Sequence, residues 1–77
     1  MVLMYRVYAE CNGEEVSFDV SEPETDEALE KLAEAAAGIF RQKFGYMTEG
    51  TIFIDVYQLG LDQTVIGDPV YMDTVVY

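Results

Sequence analysis

The chain has 77 residues, with 15 Asp and Glu against 4 Lys and Arg and no His, giving a formal net charge of −11. Such a field opposes direct contact with DNA, RNA or an anionic membrane surface, and the absence of His excludes Ser-His-Asp and Cys-His catalysis and His-ligated zinc. With 51% hydrophobic and 13% aromatic residues, the composition supports a core rather than disorder, and the length predicts one domain over residues 1–77.

Leu3 to Cys11 and Glu14 to Val20 are alternating runs separated by Asn12-Gly13. Asn-Gly is the preferred pair for a two-residue type I′ hairpin. That loop length sets the register, with Cys11 opposite Glu14, Ala9 opposite Val16, Val7 opposite Phe18 and Tyr5 opposite Val20. The other face then carries Met4, Arg6, Tyr8 and Glu10 against Glu15, Ser17 and Asp19, placing Arg6 across from Asp19.

A helix follows. Ser21-Glu22-Pro23-Glu24 fits a capping box with Ser21 as N-cap, and Thr25 is a competing N-cap. Leu29, Leu32, Ala33, Ala36, Ile39, Phe40 and Phe44 recur at three- and four-residue steps as an apolar stripe. Acids crowd the first turns, Arg41 and Lys43 fall in the last, and Gly45 is placed for a left-handed stop. Gly38 interrupts the pattern and predicts close packing or a kink.

Thr51 to Leu59 alternates as a third strand. Gly60 to Pro69 is a turn-rich connection in which Thr64-Val65-Ile66 pairs briefly, and Val70 to Tyr77 forms the last strand. The order predicts an α+β fold, a two-layer ββαββ domain with a four-stranded, mainly antiparallel sheet and one long helix on one face. The helix-facing set is Tyr5, Val7, Ala9, Val16, Phe18, Val20, Ile52, Ile54 and Val56, joined by Val70, Met72 and Val76. The open face then holds Met4, Tyr8, Phe53, Tyr57, Tyr71, Val75 and Tyr77, more apolar than such faces usually are.

Ten acids and one base, Lys31, lie between Glu10 and Glu34, so that window holds −9 of the charge. Glu27, Glu30 and Glu34 are predicted on the solvent side of the helix, Glu24 at its start, and Glu10, Glu14 and Glu15 at the hairpin tip. A rigid array of carboxylates at such spacing imitates the phosphates of nucleic acid. A solvated, solubilising helix face is the plain alternative. Tyr8, Phe53, Tyr57 and Tyr71 are the aromatic anchors of a contact surface. The missing basic surround argues against stacking RNA on that platform.

For catalysis the one candidate pair is Asp55 with Asp73, on adjacent strands of the open face. Asp62 and Asp68 lack the calcium-loop pattern, and Cys11, beside a tight turn in an acidic setting, reads as a small strand-end residue rather than a nucleophile. No enzyme activity, cofactor or metal site is therefore expected. The lone cysteine excludes an internal disulfide, Met1 to Arg6 is too short for a signal peptide, and no stretch is long enough to cross a membrane, so a cytoplasmic protein is expected.

The acidic stretch Glu22-Pro23-Glu24-Thr25-Asp26-Glu27 with Glu30 and Glu34, on a compact domain with an Asn-Gly hairpin, resembles the small acidic anti-defence proteins of phages, especially anti-CRISPR proteins. The likeness is of type across the chain and carries over no functional residues. It implies a non-enzymatic inhibitor whose carboxylates meet a basic nucleic-acid-binding protein or CRISPR effector complex in the host cytoplasm. The alternative is a homodimeric structural or regulatory module that associates through the aromatic sheet face.

Overall fold

The computed structural model describes residues 2–46 and 49–77. Four strands and one helix follow in the order β1 (Val2–Cys11), β2 (Glu14–Pro23), α1 (Asp26–Lys43), β3 (Thr51–Leu59) and β4 (Val65–Val76). The strands form one antiparallel sheet in the spatial order β2-β1-β3-β4, and α1 packs on one face. This is the predicted ββαββ architecture.

The β1–β2 hairpin has the register that its turn dictates. Asn12 and Gly13 take φ of 52° and 86°, the pair of left-handed conformations a type I′ turn requires. Cys11 faces Glu14, Val7 faces Phe18 and Arg6 faces Asp19. Pairing continues to Val2 opposite Pro23, so Ser21, Glu22 and Pro23 belong to β2 and the expected capping box does not form. Thr25 is the N-cap, its hydroxyl accepting from the Ala28 N–H at 3.1 Å. Extra ladder rungs outweigh a local cap when a second capping residue stands one turn on.

Leu29, Leu32, Ala33, Ala36, Ala37, Phe40 and Phe44 are buried from the helix side, against Tyr5, Val7, Ala9, Cys11, Val16, Ile52, Ile54 and Val56 from the sheet. Ile39, predicted in the stripe, is 43% exposed; Phe40 and Ala36 fill that level. A Cβ at Gly38 would meet nothing within 4 Å, so close packing does not explain that glycine. Phe44, at φ −116°, ends the helix with its N–H still donating to the Phe40 carbonyl. Gly45 is not among the left-handed residues; Phe44 itself leaves the helical conformation, its ring tilted against Phe40 at 4.8 Å between centroids.

The face assignment of β4 is the main correction. Val56 pairs with Tyr71, Ile54 with Asp73 and Ile52 with Val75. Tyr71, Asp73 and Val75 therefore share the helix side, and Tyr77 packs against the same core. Met72, Thr74 and Val76 lie on the open face, opposite Asp55, Phe53 and Thr51. The cause is a bulge. Between Val56 and Gln58 stands one residue, whereas between their partners Tyr71 and Ile66 stand Gly67, Asp68, Pro69 and Val70. An odd surplus reverses the alternation on the bulged strand. Val65 and Ile66 do pair, with Leu59 and Gln58, but as part of β4 rather than as an isolated segment. Among the described residues, no helix is long and apolar enough to cross a membrane.

Candidate protein-binding surfaces

The open face is built in rows across the strands. Glu15, Glu10, Phe53 and Thr74 form one row, and Ser17, Tyr8, Asp55 and Met72 the next. Asp19, Arg6 and Tyr57 form a third, reaching the bulge. The bulge stands at the end of these rows, beside Tyr57, where a bulged strand bends and twists more strongly. The turn joining β3 to β4 comes over the open face, where Arg6 Nη2 donates to the Gln63 carbonyl at 3.4 Å. The resulting depression, about 510 Å³, is lined by Tyr8, Glu10, Glu15, Phe53, Asp55, Tyr57 and Val65. Tyr8 and Tyr57 meet edge to face at 5.6 Å.

At the end of this cup, Arg6 donates from Nε and Nη2 to the two carboxylate oxygens of Asp19 at 2.7 and 3.0 Å. This hydrogen-bonded pairing holds the Asp19 carboxyl below its ordinary range and raises the Arg6 guanidinium further above its own. Glu10 and Glu15 stand directly opposite each other with no base in their row. Like charges so placed oppose strand pairing.

A second acidic surface lies on the flank of α1 that faces β4. The half-buried Tyr71 has its hydroxyl pKa raised by burial and by the charges of Asp73, Glu30, Glu34 and Asp26. Glu24 and Asp26 border an adjoining depression of about 270 Å³ with Tyr5, Leu29, Gln58 and Val70. Five carboxylates thus occupy this flank. Its one base, Arg41, donates from Nη2 to the Val76 carbonyl at 3.0 Å.

No protein family, curated protein or solved structure matches this chain.

Nine of the eleven predicted contact residues fall on one or other of the two surfaces. Tyr8, Glu10, Glu15, Phe53 and Tyr57 come together in the cup, and Glu24, Glu30, Glu34 and Tyr71 on the flank. Tyr71 does not belong to the open face, because the bulge turns it toward the helix. Glu27 is apart from Glu30 and Glu34, paired with Lys31 at 3.2 Å beside Glu22, Pro23 and Ala28. Glu14 shares the face of its partner Cys11, away from Glu15.

The alternation of β3 already puts Asp55 on the open face beside Phe53 and Tyr57, though as a catalytic candidate rather than a contact residue. The i, i+4 spacing from Glu30 contains Asp26, which the predicted contact set lacks, and Asp73 joins the flank only through the bulge. Asp55 and Asp73 fall on opposite faces, so the candidate carboxylate pair does not form. Cys11 is fully buried. Asp62 caps the β3–β4 turn, accepting from the Thr64 hydroxyl and N–H at 2.7 and 3.2 Å, which lowers its pKa. Among the described residues, no three Cys, Asp or Glu side chains converge as metal ligands.

Proposed function

We propose that this protein is a non-enzymatic inhibitor that occupies a basic, nucleic-acid-binding surface of another protein, in the manner of phage anti-defence proteins acting on CRISPR effectors. The observation that carries this reading is the one-sided charge of the α1–β4 flank. Asp26, Glu30, Glu34 and Asp73 lie near enough to Tyr71 to act on its hydroxyl, and Glu24 borders the adjoining depression beside Asp26 and Tyr5, while each base of the chain is engaged within it. Arg6 binds Asp19, Lys31 binds Glu27, Arg41 caps Val76, and Lys43 lies 5.5 Å over the Phe44 ring. Asp26, Glu30 and Glu34 span ~12 Å of helix. One DNA strand advancing the same distance carries about three to four phosphates, so the flank approaches that charge density on a rigid support.

The test is binding to purified, guide-loaded CRISPR effectors across 0.05–0.5 M salt. The expected result is a stoichiometric complex that weakens with salt, is competed by target DNA, and is lost in Glu30→Lys/Glu34→Lys. Binding to no basic partner, or binding indifferent to that reversal, refutes the reading.

A homodimer through the open face has one observation in its favour: Phe53, Met72 and Val76 are 52%, 68% and 77% exposed there. Against it, each copy would bring Glu10, Glu15 and Asp55 to the same interface. Light scattering separates the two, since a dimeric mass that reverts to monomer in Met72→Lys supports the second reading.

A further inference from the structure

We propose that the cup on the open face is a receptor for a guanidinium, namely an arginine side chain presented by a partner protein. Its walls carry two kinds of group that favour this cation. Tyr8, Phe53 and Tyr57 supply aromatic rings, to which a cation is attracted within ~6 Å of the centroid. Glu10, Glu15 and Asp55 supply carboxylates, and no base lines the cup. Arg6, the nearest base in the rows, is held in a two-pronged pair by Asp19.

The Glu10–Glu15 pair adds charge to shape. The two residues stand opposite each other on β1 and β2, and Glu10 Oε1 accepts from the Gly13 N–H at 3.3 Å; like charges at opposite positions oppose strand pairing, and a cation bound beside them offsets that. A metal ion is a poor candidate, because the three acids do not converge at ligating distance among the described residues. A planar, delocalised cation suits separated carboxylates better. Guanidinium presents five N–H donors in a fork, stacks on aromatic rings and is more weakly hydrated than an ammonium, so arginine is favoured over lysine. A second copy of the chain is disfavoured as occupant by the same three carboxylates. The cup and the α1–β4 flank lie on opposite sides of the sheet, so this proposal does not depend on the flank reading.

The test is an NMR titration of the isotope-labelled protein with N-acetyl-arginine amide, run beside the matching citrulline and lysine amides. Arginine is expected to give saturable shifts at Tyr8, Glu10, Glu15, Phe53 and Asp55, lysine to bind more weakly, and neutral citrulline to give none. Phe53→Ala, at a half-exposed position, is expected to weaken arginine binding by about threefold to tenfold. Glu15→Thr is expected to weaken it while raising the unfolding midpoint, a combination that mere loss of folding does not give. Equal shifts with citrulline, tighter binding of lysine, shifts confined to α1 and β4, or no shifts overturn the proposal. That failure is distinct from failure of the flank reading, which is decided by the Glu30→Lys/Glu34→Lys complex.

Discussion

Val75 and Val76 are adjacent in sequence and lie on opposite faces of β4, which makes them a direct test of the bulge. Val75 stands opposite Ile52 and packs against the core; Val76 stands on the open face and is 77% exposed. Aspartate at either position brings the same loss of strand propensity, at most ~1 kcal/mol, so the difference between the variants isolates burial. Val75→Asp forfeits the half-buried valine, about 1 kcal/mol when a fully buried one contributes ~1.5–3. It also places an unpaired carboxylate under the helix, two residues from Asp73 on the same face, costing ~1–3 kcal/mol more. The expected gap is thus ~2–4 kcal/mol, a large share of the roughly 4–12 kcal/mol that a chain of this length commands. Urea unfolding followed by far-ultraviolet circular dichroism reads it, with Val76→Asp staying within about 1 kcal/mol of the parent. Equal losses, or the larger loss at position 76, refute the face assignment and the odd-residue bulge with it.

Glycine offers a contrast of the same kind. Gly38→Ala, where a Cβ meets open space, is expected to stabilise the helix by ~1 kcal/mol. Gly50→Ala is expected to destabilise by ~1–3 kcal/mol, since its Cβ would lie 2.7 Å from Cys11 Sγ at a φ of +128°; urea midpoints check both. Glu15→Thr removes the like-charge pair with Glu10 and is expected to raise stability by ~0.2–1 kcal/mol in thermal unfolding. For Asp19, the pKa is lowered in the folded state by the hydrogen bond from Arg6, so its stabilisation is fully present above the unfolded value of ~3.9 and is lost as pH falls through the folded one. Asp19→Asn is therefore expected to destabilise at pH 6, with the gap in urea midpoint from the parent narrowing as pH falls below about 3.9; a gap that does not narrow refutes the pairing as its source.

The first half of the fold was legible because short-range chemistry dictated it. Asn12-Gly13 permits one register, and the β1–β2 pairs from Cys11–Glu14 to Tyr5–Val20 followed from the loop length. The helix was legible from its stripe and charge order, but its start was not. Ser21 and Thr25 are both adequate caps, and the choice was made by Val2 and Leu3, which prolong the hairpin to Pro23. On β4 the pattern carried too little information. Met72 and Val76 on one face and Tyr71, Val75 and Tyr77 on the other are both apolar sets, so a period of two chooses neither. Asp73 looked like the marker of a solvent face. It lies instead on the helix side at the sheet's rim, where the flank of α1 leaves it half exposed. The cup was half legible, since Tyr8, Glu10, Glu15, Phe53 and Tyr57 followed from alternation, whereas its concavity depends on a bulge no local pattern announces.

The sheet's two edges bear on how a partner is met. An unpaired edge strand invites another strand to add, and proteins prevent this with charge, proline and bulges. The β2 edge carries Glu14, Glu15, Asp19 and Glu22 and ends in Pro23, so an incoming strand meets four carboxylates. The β4 edge lacks that charge but is closed differently. Gly67 and Pro69 lie in its bulge, Asp73 Oδ1 accepts from the Thr74 N–H at 2.8 Å, and the Arg41 guanidinium binds the Val76 carbonyl. With side chains engaging the backbone on one edge and acids guarding the other, recognition through main-chain pairing is disfavoured. What remains open to a partner is side-chain chemistry, acids around Tyr71 on the flank and acids around Tyr8, Phe53 and Tyr57 in the cup. Both present carboxylates beside aromatic rings, so a partner that satisfies either must bring cations, and arginine satisfies both components at once.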